Sequence, residues 1–501
     1  MIFKKTLTAA LIAAGSITCF ATAAQTDTFA ATQTATSATK TTATNGTDKK
    51  SADNTKKTTD TTGKTTTNTS KTTSGNTTKK TSTSTSKTTS GNSTNKTTTP
   101  KTVKVNIEGK NVEVPAKGNN WICLNGYFHF VKDGKLIKGW RYFTKADGQD
   151  TNHFSFFDYT NGRLYTGWKY MGSKEGEKTA HWSYFGSNGW LRTGWQMMGT
   201  SKNPDGNSKV HWSYFGADGW LRTGWQRMGT KTNPDGNNKV HWSYFGPNGW
   251  MVKGWYTNND GLHYFDGSGW MQASRTTRIE GSDYKFSENG IVIGVNHSDF
   301  KYVNQYKTYG YYPMSCGSSS ALMAMQAVGY CKGIDTKGEY EDYLSTWRAV
   351  CGSSFGKKGG VGCSTPGNAV KVINNENTTR GVPVKSVTGS ALNANYLKDS
   401  LTHGQTSMVI IQNFKVYTHW IAITGWEMNG KELVFKIADP LPNDCGSGAY
   451  SSASRVSQGN LGTSMKNSTL FSLTDAGIVR QYHGGRCGVT FGNYKGLNSY
   501  F

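Results

Sequence analysis

The hydrophobic and polar positions divide the chain into four stretches of different character. An apolar run over residues 7–20 follows two lysines, and residues 25–104 then contain almost no aliphatic or aromatic side chain. Over residues 121–294 aromatic residues alternate with polar ones and are interrupted by Asn-Gly, Asp-Gly or Ser-Gly pairs. After Asp299, longer apolar segments with helical or strand periods appear. The pattern therefore predicts a multidomain protein.

The aromatic stretch is repetitive. Three copies that begin with HWSYF recur every 30 residues, at His181–Trp195, His211–Trp225 and His241–Trp255, and looser copies flank them. Alternating aromatic residues before a Gly-containing pair, followed by a short apolar segment, predict β-hairpins that turn at the pair. Because a lone hairpin is barely stable, we expect the units to stack into an all-β hairpin-repeat solenoid over residues 105–294.

The last stretch, residues 295–501, mixes helix and strand patterns and predicts an α+β domain. The predicted helices and strands are Ser318–Val328, Glu339–Ala349, Met408–Ile411, His419–Thr424 and Leu433–Ala438.

The N-terminal patterns concern export. Residues 1–24 have the charged start, apolar centre and small-residue exit of a cleaved signal peptide. A membrane anchor is the alternative, but the run is shorter than the roughly 20 residues that a span needs. The Thr/Ser/Lys-rich residues 25–104 predict a disordered linker. We therefore expect a secreted protein without a transmembrane segment, associated with the cell wall or cell surface.

The formal net charge is +24, and part of it lies in the linker. Because an exported protein rarely meets nucleic acid, this charge favours anionic wall polymers or membrane surface as partners. A solvated spacer that happens to be basic is the alternative.

Cys316 lies where a Gly/Ser-rich turn becomes an apolar helix, in YYPMSCGSSSALMAM. Free backbone N–H groups at a helix start favour a thiolate, so the position suits a nucleophile, whereas a packing cysteine could lie anywhere on the helix. Without Cys19 of the signal peptide seven cysteines remain, as expected for one free thiol and up to three disulfides. Their spacing indicates no zinc site, and we expect no cofactor.

The aromatic repeats resemble the choline- or glucan-type cell-wall-binding repeats of Gram-positive surface proteins, through the shared YF-x-x-x-G-x-x-x-x-GW pattern. The resemblance implies a wall polymer as partner, choline-bearing teichoic acid or glycan, held in shallow aromatic cages. The matching ligand-binding positions are Trp168, Trp182, Tyr184, Trp195, Trp212, Tyr214, Trp225, Trp242, Tyr244 and Trp255. Packing between repeats is the alternative role for each ring. Long inserts such as Met198–Val210 leave the choline specificity open.

The segment SCGSSSALMAM, together with THWIAITGWE and IADPLP, resembles papain-like cysteine peptidases related to the bacteriocin-leader-processing family. The resemblance implies a hydrolase with Cys316 as nucleophile, His419 as general base and Asp439 as the group that orients the imidazole. It assigns Gln305 to the oxyanion hole. A packed thiol, a core histidine and a turn aspartate are the alternatives, and His403 and His483 are weaker candidates for the base.

The sequence analysis therefore predicts a wall-anchored cysteine peptidase that acts on a peptide or protein substrate. Two other functions stay open. One is a transglutaminase-like enzyme or wall-peptide amidase with the same triad, and the other is a non-catalytic adhesin.

Overall fold

The computed structural model describes residues 101–207, 209–236, 239–358, 360, 362, 365–375, 381–413, 417–441, 463–497 and 499–500. The predicted signal peptide and all but the last four residues of the predicted linker lie outside these ranges. The described chain divides into two compact units, one of residues up to 126 with 130–136 and one of residues 127–129 with 137 onward. Within the described residues, no helix is both long enough and apolar enough to cross a membrane.

The first unit consists of short antiparallel strands around a small aliphatic core. Strand β1 already begins at Thr102, inside the predicted linker, because TVKVNI alternates apolar and polar residues and buries Val105 and Ile107. The strands are β1 (Thr102–Ile107), β2 (Lys110–Pro115), β3 (Asn119–Leu124), β4 (Tyr127–Lys132) and β5 (Lys135–Leu136). They form a β1-β2 sheet and a β3-β4-β5 sheet.

Five hairpins follow, at the positions of the aromatic repeats. In each hairpin, a strand that contains a Gly-Trp dipeptide at or near its first residue pairs with the aromatic-rich strand that follows it in the chain. They are formed by β6 (Gly139–Phe143), β7 (His153–Phe157), β8 (Gly167–Met171), β9 (His181–Phe185), β10 (Gly194–Met198), β11 (His211–Phe215), β12 (Gly224–Met228), β13 (His241–Phe245), β14 (Lys253–Asn258) and β15 (Gly261–Phe265). The prediction of repeated β-hairpins is confirmed.

In the hairpins from β6–β7 to β12–β13 the turn lies elsewhere than predicted, whereas β14 and β15 are joined by a two-residue turn at Asn259 and Asp260. The ladder β10–β11 pairs Gly194 with Phe215 and Met198 with His211, so the hairpin loop is the long insert. The Asn-Gly pair also reverses the chain, with Gly189 N–H donating to the Gly186 carbonyl at 2.8 Å, but it leads to a single bridge, Phe185 to Leu191. The chain can pair on either side of each aromatic strand. The strand that begins at Gly194-Trp195 offers five residues for pairing across the insert, whereas the segment after Asn-Gly offers only one, so the longer ladder is the one that the insert connects.

Successive repeats are joined by one backbone hydrogen bond that recurs with the repeat. Leu221 N–H donates to the Trp182 carbonyl, and Met251 N–H to the Trp212 carbonyl, each at 2.8 Å. The fully buried side chains of Met198 and Phe215 pack with Trp168 and Tyr184 of the preceding hairpin, so each hairpin covers its neighbour's apolar face.

The C-terminal part contains one nine-stranded sheet whose pairings are all antiparallel. Its order is β16-β17-β18-β21-β20-β24-β19, with β22 between β21 and β23. The strands are β16 (Thr276–Ile279), β17 (Ser282–Phe286), β18 (Val292–Asn296), β19 (Val384–Thr388), β20 (Thr406–Asn413), β21 (Tyr417–Asn429), β22 (Glu432–Ala438), β23 (Thr463–Lys466) and β24 (Cys487–Phe491); β25 (Ser499–Tyr500) pairs with β14.

Over the described residues of this part, six α-helices accompany the sheet, and the predicted elements lie where the sequence indicates. The helices are α1 (Cys316–Ala327), α2 (Lys337–Cys351), α3 (Pro366–Asn375), α4 (Ala394–Thr402), α5 (Asn467–Thr474) and α6 (Gly477–His483). Helix α2 begins where it does because Thr336 and Glu339 form a capping box. Helix α1 is buried from Gly317 onward and packs in the core between α2 and the sheet.

The predicted boundary at residues 294 and 295 falls inside a continuous sheet. Strand β18 crosses it, and its residues Gly294–Asn296 pair with Gly425–Glu427 of β21. Trp255 of β14 also packs on Tyr284 of β17, with ring centroids 4.6 Å apart. The last predicted repeat thus belongs to the same sheet as the predicted catalytic strands.

Candidate functional site

Cys316 is the first residue of α1 and keeps part of its surface exposed. The three serines after Gly317 hold this helix start in place, each through a buried hydrogen bond. Ser320 Oγ donates to the Trp420 carbonyl at 3.0 Å and thereby ties α1 to β21. A Cβ at Gly317 would lie 3.3 Å from the Trp420 ring, so glycine permits this close approach. The nucleophile candidate is therefore fixed beside the strand that holds His419.

The structure brings Cys316, His419 and Asp439 together. His419, in β21, hydrogen-bonds the Cys316 thiol, and its Nε2 lies 2.7 Å from Asp439 Oδ1. Asp439 directly follows β22, the neighbour of β21, and is 4% exposed. Because Nε2 faces the carboxylate, Nδ1 is the ring nitrogen left for the thiol. This order of contacts is the one that a nucleophile, a general base and an orienting group require.

The electrostatics of the pair favour charge separation. Burial raises the pKa of the Cys316 thiol, but the hydrogen bond and charge of His419, together with a hydrogen bond from the Trp420 backbone N–H, outweigh burial, so the pKa lies below its usual value. Burial likewise opposes protonation of His419, but the Asp439 carboxylate and Cys316 outweigh it and raise its pKa. A thiolate beside an imidazolium is the arrangement that these shifts support.

Asp439 is held by contacts that the sequence analysis missed. Its Oδ1 also accepts from Leu441 N–H at 2.8 Å, and its backbone carbonyl accepts from the Tyr302 hydroxyl at 2.6 Å. The following carbonyl, of Pro440, accepts from Gln305 N–H at 2.9 Å. No sequence signal pointed to Tyr302, because it lies 137 residues from its partner.

Gln305 lies on the loop before α1, next to this group. Its side chain is buried, and among the described residues its Oε1 has no hydrogen-bond partner. The loop is fixed at both ends of the residue, since Gln305 N–H donates to Pro440 and the Gln305 carbonyl accepts from Tyr312 N–H at 2.9 Å. An oxyanion-hole role would use the side-chain NH2 group of Gln305 as the donor, whereas Oε1 is an acceptor, so the unpartnered Oε1 neither supports nor contradicts that role.

The two weaker histidine candidates contact residues other than Cys316 and Asp439. His403 Nδ1 contacts Asp399, and its ring stacks on Tyr494 at 4.2 Å. His483 Nε2 lies 3.2 Å from the hydroxyl of Thr418, the residue that precedes His419. Among the described residues, no group of three His, Cys, Asp or Glu side chains could hold a metal ion.

Two further cysteines are thiols with raised pKa values. Burial raises the pKa of Cys331 to about 11 and also raises that of Cys487. Cys123 and Cys351 are disulfide-bonded. Among the described thiols, therefore, only Cys316 has a pKa shifted toward the thiolate.

On the repeats, the predicted rings form clusters that span neighbouring units. Trp168 meets Trp182 edge-on at 6.3 Å and packs on Phe215 of the next hairpin at 5.7 Å. Trp195, Trp212 and Phe245 repeat this geometry at the same distances, and Trp225 lies 5.7 Å from Phe265. Trp212 and Trp242 are each more than a third exposed. Open Trp faces therefore recur along the array.

The tyrosines and the last tryptophan of the predicted set are more deeply placed. Tyr184 and Tyr214 are buried, and their hydroxyls donate to the carbonyls of Pro204 and Pro234 in the inserts at 2.6 and 2.7 Å. The inserts thus cover one side of each cluster. Trp255 is 5% exposed and packs on Tyr284 in the C-terminal core, so it presents no open face.

A second set of ring pairs was missed by the sequence analysis. In four successive repeats a histidine stacks on a Trp of the following repeat, the one directly after that repeat's Asn-Gly, Asp-Gly or Ser-Gly pair. The ring centroids are 4.0 to 4.2 Å apart. The pairs are His153–Trp190, His181–Trp220, His211–Trp250 and His241–Trp270. The signal was one His and one Asn-Gly-Trp, Asp-Gly-Trp or Ser-Gly-Trp per unit, and these pairs are packing rather than an open site.

The second compact unit thus contains both an array of aromatic β-hairpins and an antiparallel sheet with helices and a Cys–His–Asp group. No family model and no curated protein matches the chain. Among solved structures, it is similar to choline binding protein F from Streptococcus pneumoniae, with 23% identity, a TM-score of 0.27, and coverage of 38% of this chain and 54% of that one. This chain thus spans about half the length of that protein.

Two other structures from Streptococcus pneumoniae are also similar to part of the chain. For CbpJ the identity is 21%, the TM-score 0.27, and the coverage 42% of this chain and 67% of that one. For the modular autolysin LytC, solved in complex with a synthetic peptidoglycan ligand, the identity is 16%, the TM-score 0.20, and the coverage 38% and 40%.

Proposed function

We propose that this protein is a secreted, wall-associated cysteine peptidase whose catalytic part is papain-like. The observation that carries the proposal is the set of contacts from the partly exposed Cys316 thiol through His419 to the buried carboxylate of Asp439. The lowered pKa of Cys316 and the raised pKa of His419 support it, because they are the shifts that a nucleophile and its base need at neutral pH.

The reaction is acyl transfer to water. The Cys316 thiolate attacks the carbonyl carbon of the scissile amide, and the C–N bond breaks as His419 gives its proton to the leaving amine. A water molecule, deprotonated by His419, then attacks the thioester and releases the carboxylic acid together with the thiolate. Asp439 stays ionised and holds the imidazole tautomer.

The developing oxyanion requires two donors. The backbone N–H of Cys316 at the start of α1 is one, because the first N–H groups of a helix have no partner within it. The side-chain amide of Gln305 is the other, and its buried position next to the Asp439 loop supports this role.

The aromatic array serves as the wall anchor in this proposal. The recurrent clusters around Trp168, Trp195 and Trp225 support it, since open Trp faces suit a quaternary ammonium or the flat face of a sugar. Trp182, Trp212, Trp242 and Tyr244 complete the proposed binding surface, whereas Trp255, Tyr184 and Tyr214 serve packing.

Hydrolysis of a peptide library by the full-length secreted protein tests the catalytic assignment. We expect cleavage that Cys316→Ala abolishes, together with labelling of Cys316 by an active-site thiol probe. Transfer to an added primary amine in place of hydrolysis would favour the transglutaminase-like function. An intact protein that neither cleaves nor labels would favour the adhesin.

Wall binding is tested with the Cys316→Ala protein, which cannot degrade its ligand. We expect it to sediment with Gram-positive walls at raised salt and to be released by choline or a soluble wall glycan. Sedimentation no better than that of an unrelated basic protein would refute the anchor.

A further inference from the structure

The Cys–His–Asp group lies where two strands of the C-terminal sheet separate. The ladder between β21 and β22 ends at the pair Ala422–Ala438, and Asp439 is the next residue of the departing chain. The start of β21, residues 417–421, lies beyond this pair and is paired with β20 on one side. On the side that β22 has left, the buried backbone groups of this part of β21, which includes His419, need partners from outside the ladder.

Helix α1 supplies these partners for Trp420. The Trp420 N–H hydrogen-bonds the Cys316 sulfur, and the Ser320 hydroxyl donates to the Trp420 carbonyl at 3.0 Å. Since the N–H and C=O of one residue in an antiparallel strand point to the same side, both contacts lie on the edge that β22 has left. Cys316 and Ser320 are four residues apart in α1, so they share one face of the helix.

The three serines of α1 have different partners, although all three are fully buried. Ser318 Oγ donates to the Ser315 carbonyl at 2.9 Å, and Ser319 Oγ pairs with the Tyr340 hydroxyl at 2.8 Å. Of these three serines, Ser320 is therefore the one whose hydroxyl reaches the strand that holds the base. A helical serine often returns its hydroxyl to a carbonyl of its own helix, so the donation to β21 is a tertiary contact.

The contact of the Trp420 N–H with sulfur distinguishes the two ionisation states of the nucleophile. A neutral thiol is a weak acceptor, whereas a thiolate is a charged one, so the N–H stabilises the anion more than the thiol. This effect adds to that of His419 and does not require the imidazole. The other titratable groups that face the sulfur are Asp439, whose charge opposes the thiolate, and Tyr340 of α2, which is neutral because burial raises its pKa.

We propose that Ser320 is a positioning residue for the nucleophile, because its bond to the Trp420 carbonyl keeps the Trp420 N–H on the Cys316 sulfur. The inference rests on the proposed function, in which Cys316 attacks as a thiolate. The Ser320 hydroxyl acts through the strand and not on the reacting atoms. Its role thus differs from that of His419, which transfers the proton, and from that of Asp439, which orients the imidazole.

The pH at which Cys316 is half ionised is the readout, since a serine that only packs would not move it. We would follow iodoacetamide alkylation of Cys316 in the full-length protein from pH 4 to pH 10 and locate the label by mass spectrometry. In Ser320→Ala we expect the midpoint to rise by about one pH unit, roughly a tenfold loss of thiolate on the acid side, as for weakening of a hydrogen bond to a charged group. Ser320→Thr keeps the hydroxyl and should restore the wild-type midpoint. Ser319→Ala, equally buried on the same helix, is the matched control and should leave the midpoint unchanged.

A second background separates the N–H from the base. Because the Trp420 N–H donates without the imidazole, Ser320→Ala should raise the midpoint by a similar amount in the His419→Ala protein. A shift that disappears in this background would show that Ser320 acts by placing His419, and would overturn the inference. An unchanged midpoint in folded Ser320→Ala, with a low midpoint in the wild type, would overturn it as well and leave the peptidase standing. A wild-type midpoint like that of an ordinary thiol, with no peptide cleaved, would overturn the proposed function and this inference with it.

A direct measurement on the wild type covers the case in which Ser320→Ala does not fold. In full-length protein isotopically labelled only at tryptophan nitrogen, the Trp420 amide resonance is identified by its absence in Trp420→Phe. We expect this amide proton to move downfield with the same midpoint as Cys316 alkylation, and to stay in place in Cys316→Ala. A Trp420 amide that does not respond to ionisation of Cys316 would refute the contact on which the role of Ser320 depends.

Discussion

Removal of the His419 imidazole should raise the pKa of the Cys316 thiol. In the wild-type protein burial works against the thiolate, and the hydrogen bond and charge of His419 outweigh it together with the Trp420 backbone N–H, which the variant keeps. In His419→Ala the burial remains and the favourable contact is lost, whereas the helix start still provides its N–H groups. Thiolate formation should therefore require a higher pH in the variant.

The size of the effect follows from the ionised fraction. A thiol with the ordinary pKa of about 8.5 is only about 0.3% ionised at pH 6, so a fully formed ion pair contains up to roughly 300-fold more thiolate there. A more acidic thiol is a weaker nucleophile, with a Brønsted slope of about 0.5, so the expected rate advantage of the wild type at pH 6 is roughly 5- to 10-fold. Above the pKa of the variant the order should reverse.

The assay is iodoacetamide alkylation of Cys316, followed from pH 5 to pH 10 and read by mass spectrometry of the labelled peptide. This readout separates Cys316 from Cys331 and Cys487, whose pKa values are raised by burial. His403→Ala is the matched control, because its ring contacts Asp399 and Tyr494 instead. Profiles of wild type and His419→Ala with the same midpoint would refute the pairing, and His483 would then be the next base to test.

Three further predictions concern other parts of the molecule. Asp439→Ala should lower kcat by on the order of 100-fold or more, because the carboxylate that orients the His419 ring and stabilises its charge is lost; a loss below tenfold in a folded variant would exclude the orienting role. Trp195→Ala should weaken wall sedimentation about 3- to 30-fold through the loss of one open ring, whereas an unchanged affinity would make that ring packing only. His297 is fully buried between Ser282 and the Leu401 carbonyl, and burial lowers its pKa to about 4. Since the unfolded chain binds this proton near pH 6.5, the stability is fully present above that pH and falls by on the order of 3 kcal/mol as the pH drops to about 4. Urea unfolding across this range should show that dependence and lose it in His297→Asn; identical pH slopes for the two proteins would contradict the assignment.

Local signals in the sequence were sufficient to locate the main secondary structure. The predicted helix at 318–328 is observed as Cys316–Ala327, and the predicted strand at 433–438 as Glu432–Ala438. Such elements are readable because hydrophobic period, capping residues and chain breakers act over a few neighbouring positions. The candidate triad was also accessible, because Cys316, His419 and Asp439 are marked by motifs next to a helix start and two strand ends.

Contacts between distant positions were decided only by the tertiary structure. The sequence predicts the hairpin turns at the Asn-Gly pairs. In the structure the five-residue ladders are instead connected by the inserts, because pairing depends on how many residues the neighbouring strand can pair with. From the sequence, the effect of the long inserts on the aromatic cages stays open. In the structure, carbonyl groups of the inserts accept hydrogen bonds from the hydroxyls of Tyr184 and Tyr214. Neither partner in these contacts is visible from local periodicity.

The same holds at the junction of the two predicted domains. Sequence character changes near Asp299, yet β18 pairs with β21, and β25 near the C-terminus pairs with β14 of the last hairpin. Trp255 follows a glycine as Trp195 and Trp225 do, but it is buried because Tyr284 of β17 packs against it. The sequence by itself determined the repeat, the local elements and the candidate chemical groups. The tertiary structure decided which aromatic rings stay open and which become core, because burial depends on neighbours that are remote along the chain.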